Sequence, residues 1–159
     1  MPRPRGFSII EMMIVVGVIA VLALMTLPSY IDRTVRDQVS DALPLAEIAK
    51  PPVAAAWALS QPLPADNASA NLPPAEKIVG NYIRSVALEN GAIHLAFGNQ
   101  ASSSLKDKVL TLRPAVVQDT PLVPIAWVCG NAKVPDSMTV KGVNRTSVPP
   151  LFLPFKCRP

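Results

Sequence analysis

The chain is poor in the residues that do chemistry. It has one histidine, two cysteines, seven glycines and, for aromatics, four Phe, two Trp and two Tyr; charged residues make up 16%. Two thiols and one imidazole leave no multi-ligand metal site of the zinc type. Gly80, Gly91 and Gly98 are spaced as turns and form no phosphate-cradling loop. Cys129 and Cys157 are too far apart for a C-x-x-C redox pair, and the carboxylates form no cleft motif. His94, the sole histidine, falls in a strand pattern, which reads as a satisfied or exposed strand residue rather than a general base. No catalytic residues, metal or cofactor are expected, and the chain is not expected to be an enzyme. The net charge of +4 is weak support for nucleic-acid binding, because Arg3 and Arg5 supply two of the 15 basic residues and the remaining 13 face 11 acidic ones.

Charge is scarcest between Phe7 and Leu27, where FSIIEMMIVVGVIAVLALMTL holds a single ionisable side chain, Glu11. As a helix this run is about 31 Å long, enough to cross a bilayer core. A carboxylate there costs on the order of 2.5–3.5 kcal/mol on insertion scales. No Lys, Arg or His lies between Glu11 and Arg33 to offset it. The preceding MPRPRG carries two arginines, and no A-x-A cleavage site follows the run at Leu24–Pro28, unlike a secretory signal peptide. A cut between Gly6 and Phe7 instead frees an ammonium four residues from Glu11, a counter-ion in the same chain or a neighbouring one. The alternative is a plain single-span anchor with an isolated acid. Arg3 and Arg5 hold the N-terminal end in the cytoplasm, leaving the bulk of the chain outside the inner membrane.

Gly6-Phe7-Ser8-Ile9-Ile10-Glu11 with its basic leader and apolar run resembles the processing site of type IV prepilins. The resemblance implies cleavage after Gly6, N-methylation of Phe7 and a role for Phe7 and Glu11 in bringing subunits into the filament in register. Pro28 and Tyr30 also resemble the family.

Beyond the run, Ile31, Val35, Val39, Ala42, Leu43, Ala46, Ala49 and Val53 recur at three- and four-residue steps, the stripe of a half-buried amphipathic helix. Pro28 predicts a kink. Pro44 predicts another, and Pro51-Pro52 predict an end or a split, with Lys50 pushed toward extended geometry and a short helical piece over Val53–Ser60. Gln61–Pro74 is polar and proline-rich, the pattern of an exposed loop.

Tyr82–Leu88 and Ala92–Phe97 flank Asn90-Gly91, a strong hairpin signal. Ile93, Leu95 and Phe97 alternate with Ala92, His94 and Ala96, so one face is buried. Val109–Val117 offers a third strand, limited by Pro114, and Ile125–Cys129 a fourth. Cys129 and Cys157 lie on the exported side, where the simplest reading is one disulfide. It closes a loop of about 29 residues, worth roughly 3.5 kcal/mol in the chain-entropy model. The segment around Trp127 and Cys129, with Cys157 near the C-terminus, resembles type IVa pilins, whose disulfide-closed D-region is a surface loop. Lys133, Lys141, Arg145 and Lys156 make that stretch basic, with Arg158 beyond. It reads as a contact surface for a subunit, a host surface or DNA, or as an ordinary solvated loop; the lack of interleaved aromatics weighs against DNA. Leu151, Phe152, Leu153 and Phe155 are expected to pack back onto the sheet.

The expected fold is α+β: a long N-terminal helix packed under an antiparallel sheet of about four strands, with a disulfide-closed C-terminal region. The expected divisions are a leader at 1–6, a transmembrane and filament-core helix at 7–28, an amphipathic helix at 29–60, a connecting loop at 61–81 and the sheet at 82–159. The resemblance implies a type IV pilus subunit, inserted in the inner membrane and then polymerised into an extracellular filament for adhesion, twitching motility or DNA uptake. Its implied partners are identical subunits, a prepilin peptidase, an inner-membrane platform protein and assembly and retraction ATPases. A type II secretion pseudopilin and a membrane-tethered module that never polymerises are the alternatives.

Overall fold

The computed structural model describes residues 6–159, apart from the side chains of residues 27–29. Met1, Arg3 and Arg5 of the expected leader, and the Pro28 ring, lie outside the described residues. The chain divides into two compact units between Thr34 and Val35.

Helix α1 spans Ile9–Ala42 and includes position 28. It stops as an α-helix just ahead of Pro44, which cannot donate to the carbonyl one turn back. The chain tightens into a 3-10 turn over Leu43–Ile48, the usual accommodation of a lost α-type bond. Helix α2 then runs Lys50–Ala58 with Pro51 and Pro52 in its first turn. The split expected at the tandem prolines is present, and a short helix follows; what is corrected is Lys50, which is helical rather than extended, so that the prolines lie inside the new helix's first turn. First-turn N–H groups have no intrahelical acceptor, so prolines there forfeit nothing. Across the three pieces Val35, Val39, Ala42, Ala46, Ala49 and Val53 form one buried stripe. Ile31, the expected start of that stripe, is exposed.

The sheet is antiparallel, with β1 (Ile83–Glu89), β2 (Ala92–Phe97), β3 (Val109–Val116) and β4 (Ala126–Cys129) side by side in chain order. The β1–β2 hairpin turns at Asn90-Gly91, both at positive φ, as the two-residue turn requires. Its register sets Val86 opposite Leu95 and Leu88 opposite Ile93; Ile93 in turn faces Leu112 of β3, and Leu112 faces Cys129 of β4. These residues and the helical stripe share one core. A fifth strand, β5 (Thr139–Val140), pairs with Ala115 and Val116 of β3. It was expected to be part of a surface loop.

Pro114 does not limit β3. Pairing with β2 stops at Leu112 and pairing with β5 starts at Ala115, so the proline falls at the changeover between two partners. There a missing donor breaks no ladder bond, and its carbonyl accepts from the Lys141 N–H at 2.9 Å.

The 61–74 loop is not merely exposed. Asn67 is buried. Its Oδ1 accepts from the Leu88 N–H at 2.7 Å, and its Nδ2 donates to the Val86 and Pro73 carbonyls at 3.0 and 2.9 Å. One amide thus completes the free edge of β1 as a neighbouring strand would. At the hairpin tip, the Asn90 and Gly91 N–H groups donate to the Ala65 and Pro64 carbonyls.

Candidate assembly surface

Residues 9–26 of α1 are exposed all round within the chain, including Ile9, Ile10, Met12, Met13, Val16 and Ile19. A helix apolar on every side is one that something else must surround. The helical stretch Ile9–Ile48 contains a window of mean hydropathy 2.6, long and apolar enough to cross a membrane.

Phe7, just ahead of the helix, is 76% exposed. Glu11 lies in the first turn of α1, where the helix dipole favours negative charge. Among the described residues no cation lies within ion-pair reach of it. Gly6 and Gly17 share a property: a Cβ added at either meets nothing within 4 Å. The chain's own packing therefore requires glycine at neither position. Gly17, Ala20 and Ala23 leave room for another helix to approach closely.

At the other end, Cys129 and Cys157 are bonded, with Cα atoms 4.6 Å apart, and both are buried. Gly130 follows at φ +56°, and a Cβ there would lie 2.9 Å from the Cys157 carbonyl oxygen. Glycine is needed at this point for the chain to pass the disulfide.

The C-terminal apolar residues divide. Leu153 is fully buried and Phe152 partly so, but Leu151 is exposed and Phe155 is 82% exposed. The expectation that all four pack on the sheet fails for these two. The backbone here turns twice in short 3-10 pieces, Pro150–Phe152 and Phe155–Cys157, and each turn points part of the run outward. Two of the basic residues, Arg145 and Arg158, are engaged within the chain, while Lys133 and Lys156 are exposed. Arg158 donates from Nε to the Leu153 carbonyl at 2.8 Å, and its guanidinium sits 4.8 Å from the Phe155 ring centre. Arg158 and Arg36 both donate to the Leu151 carbonyl, at 3.2 and 3.0 Å. Arg145 pairs with Glu89 at 2.7 Å.

Sequence reading missed three residues. Asn67 lies in an apparently exposed loop, and its partners on β1 are 19 to 21 residues away along the chain. Thr111 and Glu89 stood at strand positions with no outward signal of their burial or pairing.

Comparison with known proteins gives two family matches that cover almost the whole chain. Residues 1–27 match the prokaryotic N-terminal methylation motif, and residues 35–158 match Pilin, described as a bacterial filament. The chain is 34% identical to the type IV major pilin protein PilE of Neisseria gonorrhoeae, covering 97% of this chain and 93% of that one. It is 30% identical to a fimbrial protein of Neisseria meningitidis serogroup B, covering 97% and 94%. It is 39% identical to the fimbrial protein EcpC of Eikenella corrodens over a shorter stretch, 56% of this chain and 60% of that one. With a sheet over a helical stripe, a disulfide near its C-terminus and an uncovered apolar helix at the other end, this chain belongs to the pilin family of bacterial filament subunits.

Proposed function

We propose that the chain is cut between Gly6 and Phe7, that the new Phe7 amine is N-methylated, and that the mature subunit polymerises through α1 into a type IV pilus. The observation that carries this reading is Glu11, exposed in the first turn of an apolar helix. In the membrane, lipid covers the helix. In the filament, neighbouring helices cover it and the amine of an adjacent Phe7 meets Glu11. The pair offsets the cost of a buried charge and selects one axial register, the best-attested use of buried polar pairs. The contact is heterologous, so copies add without closing and build an open helix.

Before assembly the subunit spans the inner membrane once, N-terminus in the cytoplasm. The resemblance to prepilins supplies the remaining partners: a prepilin peptidase, an inner-membrane platform protein, and assembly and retraction ATPases. The finished filament serves adhesion, twitching motility or DNA uptake. Its outward contacts draw on the C-terminal region, where Leu151 and Phe155 stand exposed.

Mass spectrometry of the native subunit tests the reading. A chain beginning at methylated Phe7 is the expected result. A cellular protein that retains Met1–Gly6 and remains monomeric overturns it. A Gly6→Glu variant is expected to stay unprocessed, although nothing in the subunit's own packing opposes that side chain.

A further inference from the structure

On the sheet's outer face, away from the helical stripe, four residues close a ring of polar contacts. The Arg145 backbone N–H donates to Thr111 Oγ1 at 3.0 Å. Thr111 Oγ1 lies 2.9 Å from His94 Nδ1. His94 Nε2 lies 3.2 Å from Glu89 Oε2, within ion-pair reach though not aligned as a hydrogen bond. Glu89 Oε1 accepts from Arg145 Nη2 at 2.7 Å. The circuit thus begins and ends on Arg145, which belongs to the disulfide-closed segment, and runs through β3, β2 and the last residue of β1.

One arrangement of protons satisfies this ring. Thr111 Oγ1 accepts from Arg145, so its own hydroxyl proton is free to point at His94 Nδ1. That makes Nδ1 the acceptor and leaves the single imidazole proton on Nε2, facing the Glu89 carboxylate. A second proton on the ring must go to Nδ1, and Thr111 Oγ1 can accept it only by turning its own hydroxyl proton away. Thr111 is fully buried, so its hydroxyl has no water to turn to. The new cation also sits beside Arg145.

We infer that this ring is a proton-sensitive latch: protonation of His94 in mildly acidic surroundings releases Arg145 and its neighbours in the disulfide-closed segment from the end of β1. Release changes which charges the outer face presents, because the Arg145 guanidinium and the Glu89 carboxylate then separate.

The charged groups facing His94 come from every element around it. Glu89 lies at the end of β1, and Arg145 on the disulfide-closed segment. Asp66, from the 61–74 loop, lines the same open groove of about 420 Å³. The backbone and side-chain hydrogen bonds from Ser69 hold the Asp66 carboxyl below its ordinary value, so it stays ionised throughout the range that matters. Arg113, two residues along β3 on the same face, is engaged with the Gly130 carbonyl at 3.3 Å. Burial is the largest influence on His94 and pushes its pKa down; the charge of Glu89 opposes this and that of Arg145 reinforces it, with a net lowering from 6.5. The opened, solvated ring therefore takes a proton near 6.5 while the closed one resists to lower pH. The closed latch is at full strength above 6.5 and weakens as pH falls below it, because the open form binds more protons.

The test uses the full-length chain in detergent micelles. It has one histidine, so its imidazole NMR signal needs no further assignment. A titration midpoint below 6.5 is expected; a midpoint at or above 6.5 overturns the latch, and this measurement needs no variant. Hydrogen exchange at the Arg145 amide, corrected for intrinsic rates, supplies the second readout. Its protection is expected to fall from pH 7.5 to pH 5.5 by up to about tenfold, the ceiling being set by protonation of the opened form. In His94→Gln the protection is expected to be independent of pH over that range. An equal fall in His94→Gln would assign the effect to a carboxylate and overturn the proposal.

Discussion

The two units of this chain use the same residue types for opposite reasons. In the first, Gly17 faces open space, and so do Ile9, Met13 and Ile19 around it. In the second, Gly130 is pressed against the Cys157 carbonyl, and Phe97, Ile93 and Leu95 are sealed in a core. An apolar side chain in the second unit is explained by a neighbour in the same chain. In the first unit it is explained only by lipid or another subunit. Substitutions should therefore separate cleanly: those in the apolar helix alter assembly and leave the folded unit untouched, and those in the sheet do the reverse.

The largest expected effect is at Glu11. Glu11→Val removes the one ionisable side chain of the apolar run. Filament yield is expected to drop to a trace in electron micrographs, while membrane insertion improves and the thermal midpoint of the folded unit is unchanged. Normal yield would remove Glu11 from the assembly contact. The reverse case is the disulfide. Cys129→Ala with Cys157→Ala is expected to cost the folded unit roughly 3.5 kcal/mol in denaturant titration, from the lost loop constraint, with membrane insertion unaffected. Next comes Asn67→Ala, which strips the Leu88 N–H of its acceptor and the Val86 carbonyl of a donor. A cost of about 2–3 kcal/mol is expected from leaving buried groups unsatisfied. Asn67→Asp keeps the acceptor but sets a carboxylate against two carbonyl oxygens, and is expected to cost at least as much. A change below about 0.5 kcal/mol for either variant, the range of an ordinary surface substitution, would break the claim that this amide completes the sheet edge.

What could be read without coordinates follows the same division. The alternation of Ile93, Leu95 and Phe97 marks β2 within its observed bounds, and Asn90-Gly91 marks the turn, because both signals are local. The helical stripe from Val35 to Val53 is legible for the same reason. Gly6, Phe7 and Glu11 stand out in sequence because a lone charge in an apolar run needs a partner; coordinates add that they are uncovered. What failed depended on contacts distant in sequence. Polar Gln61–Pro74 looked solvated, yet Asn67 is a strand surrogate for residues some twenty positions on. His94 is a satisfied strand residue, as its pattern suggested, but its direct contact with Thr111 and the return of the Arg145 N–H to Thr111 join residues 17 and 34 positions apart. The tandem prolines marked a split, but Lys50 was misplaced as extended because a proline's effect depends on helix position: costly inside, harmless in a first turn.

The smallest expected effect is also the sharpest test of the contrast, because it should appear in the filament and be absent from the isolated chain. Gly17→Ala adds a methyl that meets nothing within 4 Å in the isolated chain. Alanine is a better helix former by about 0.5–1 kcal/mol, so the monomer in detergent should keep its helix content and the thermal midpoint of the folded unit. In the filament the same methyl would stand where a neighbouring helix packs, and close approach at a small residue is lost when the residue grows. Filaments of Gly17→Ala are therefore expected to dissociate a few degrees below those of the parent chain, while the monomers are indistinguishable. If the filaments match the parent or melt higher, Gly17 faces no helix, and the apolar run is packed by some other side of α1.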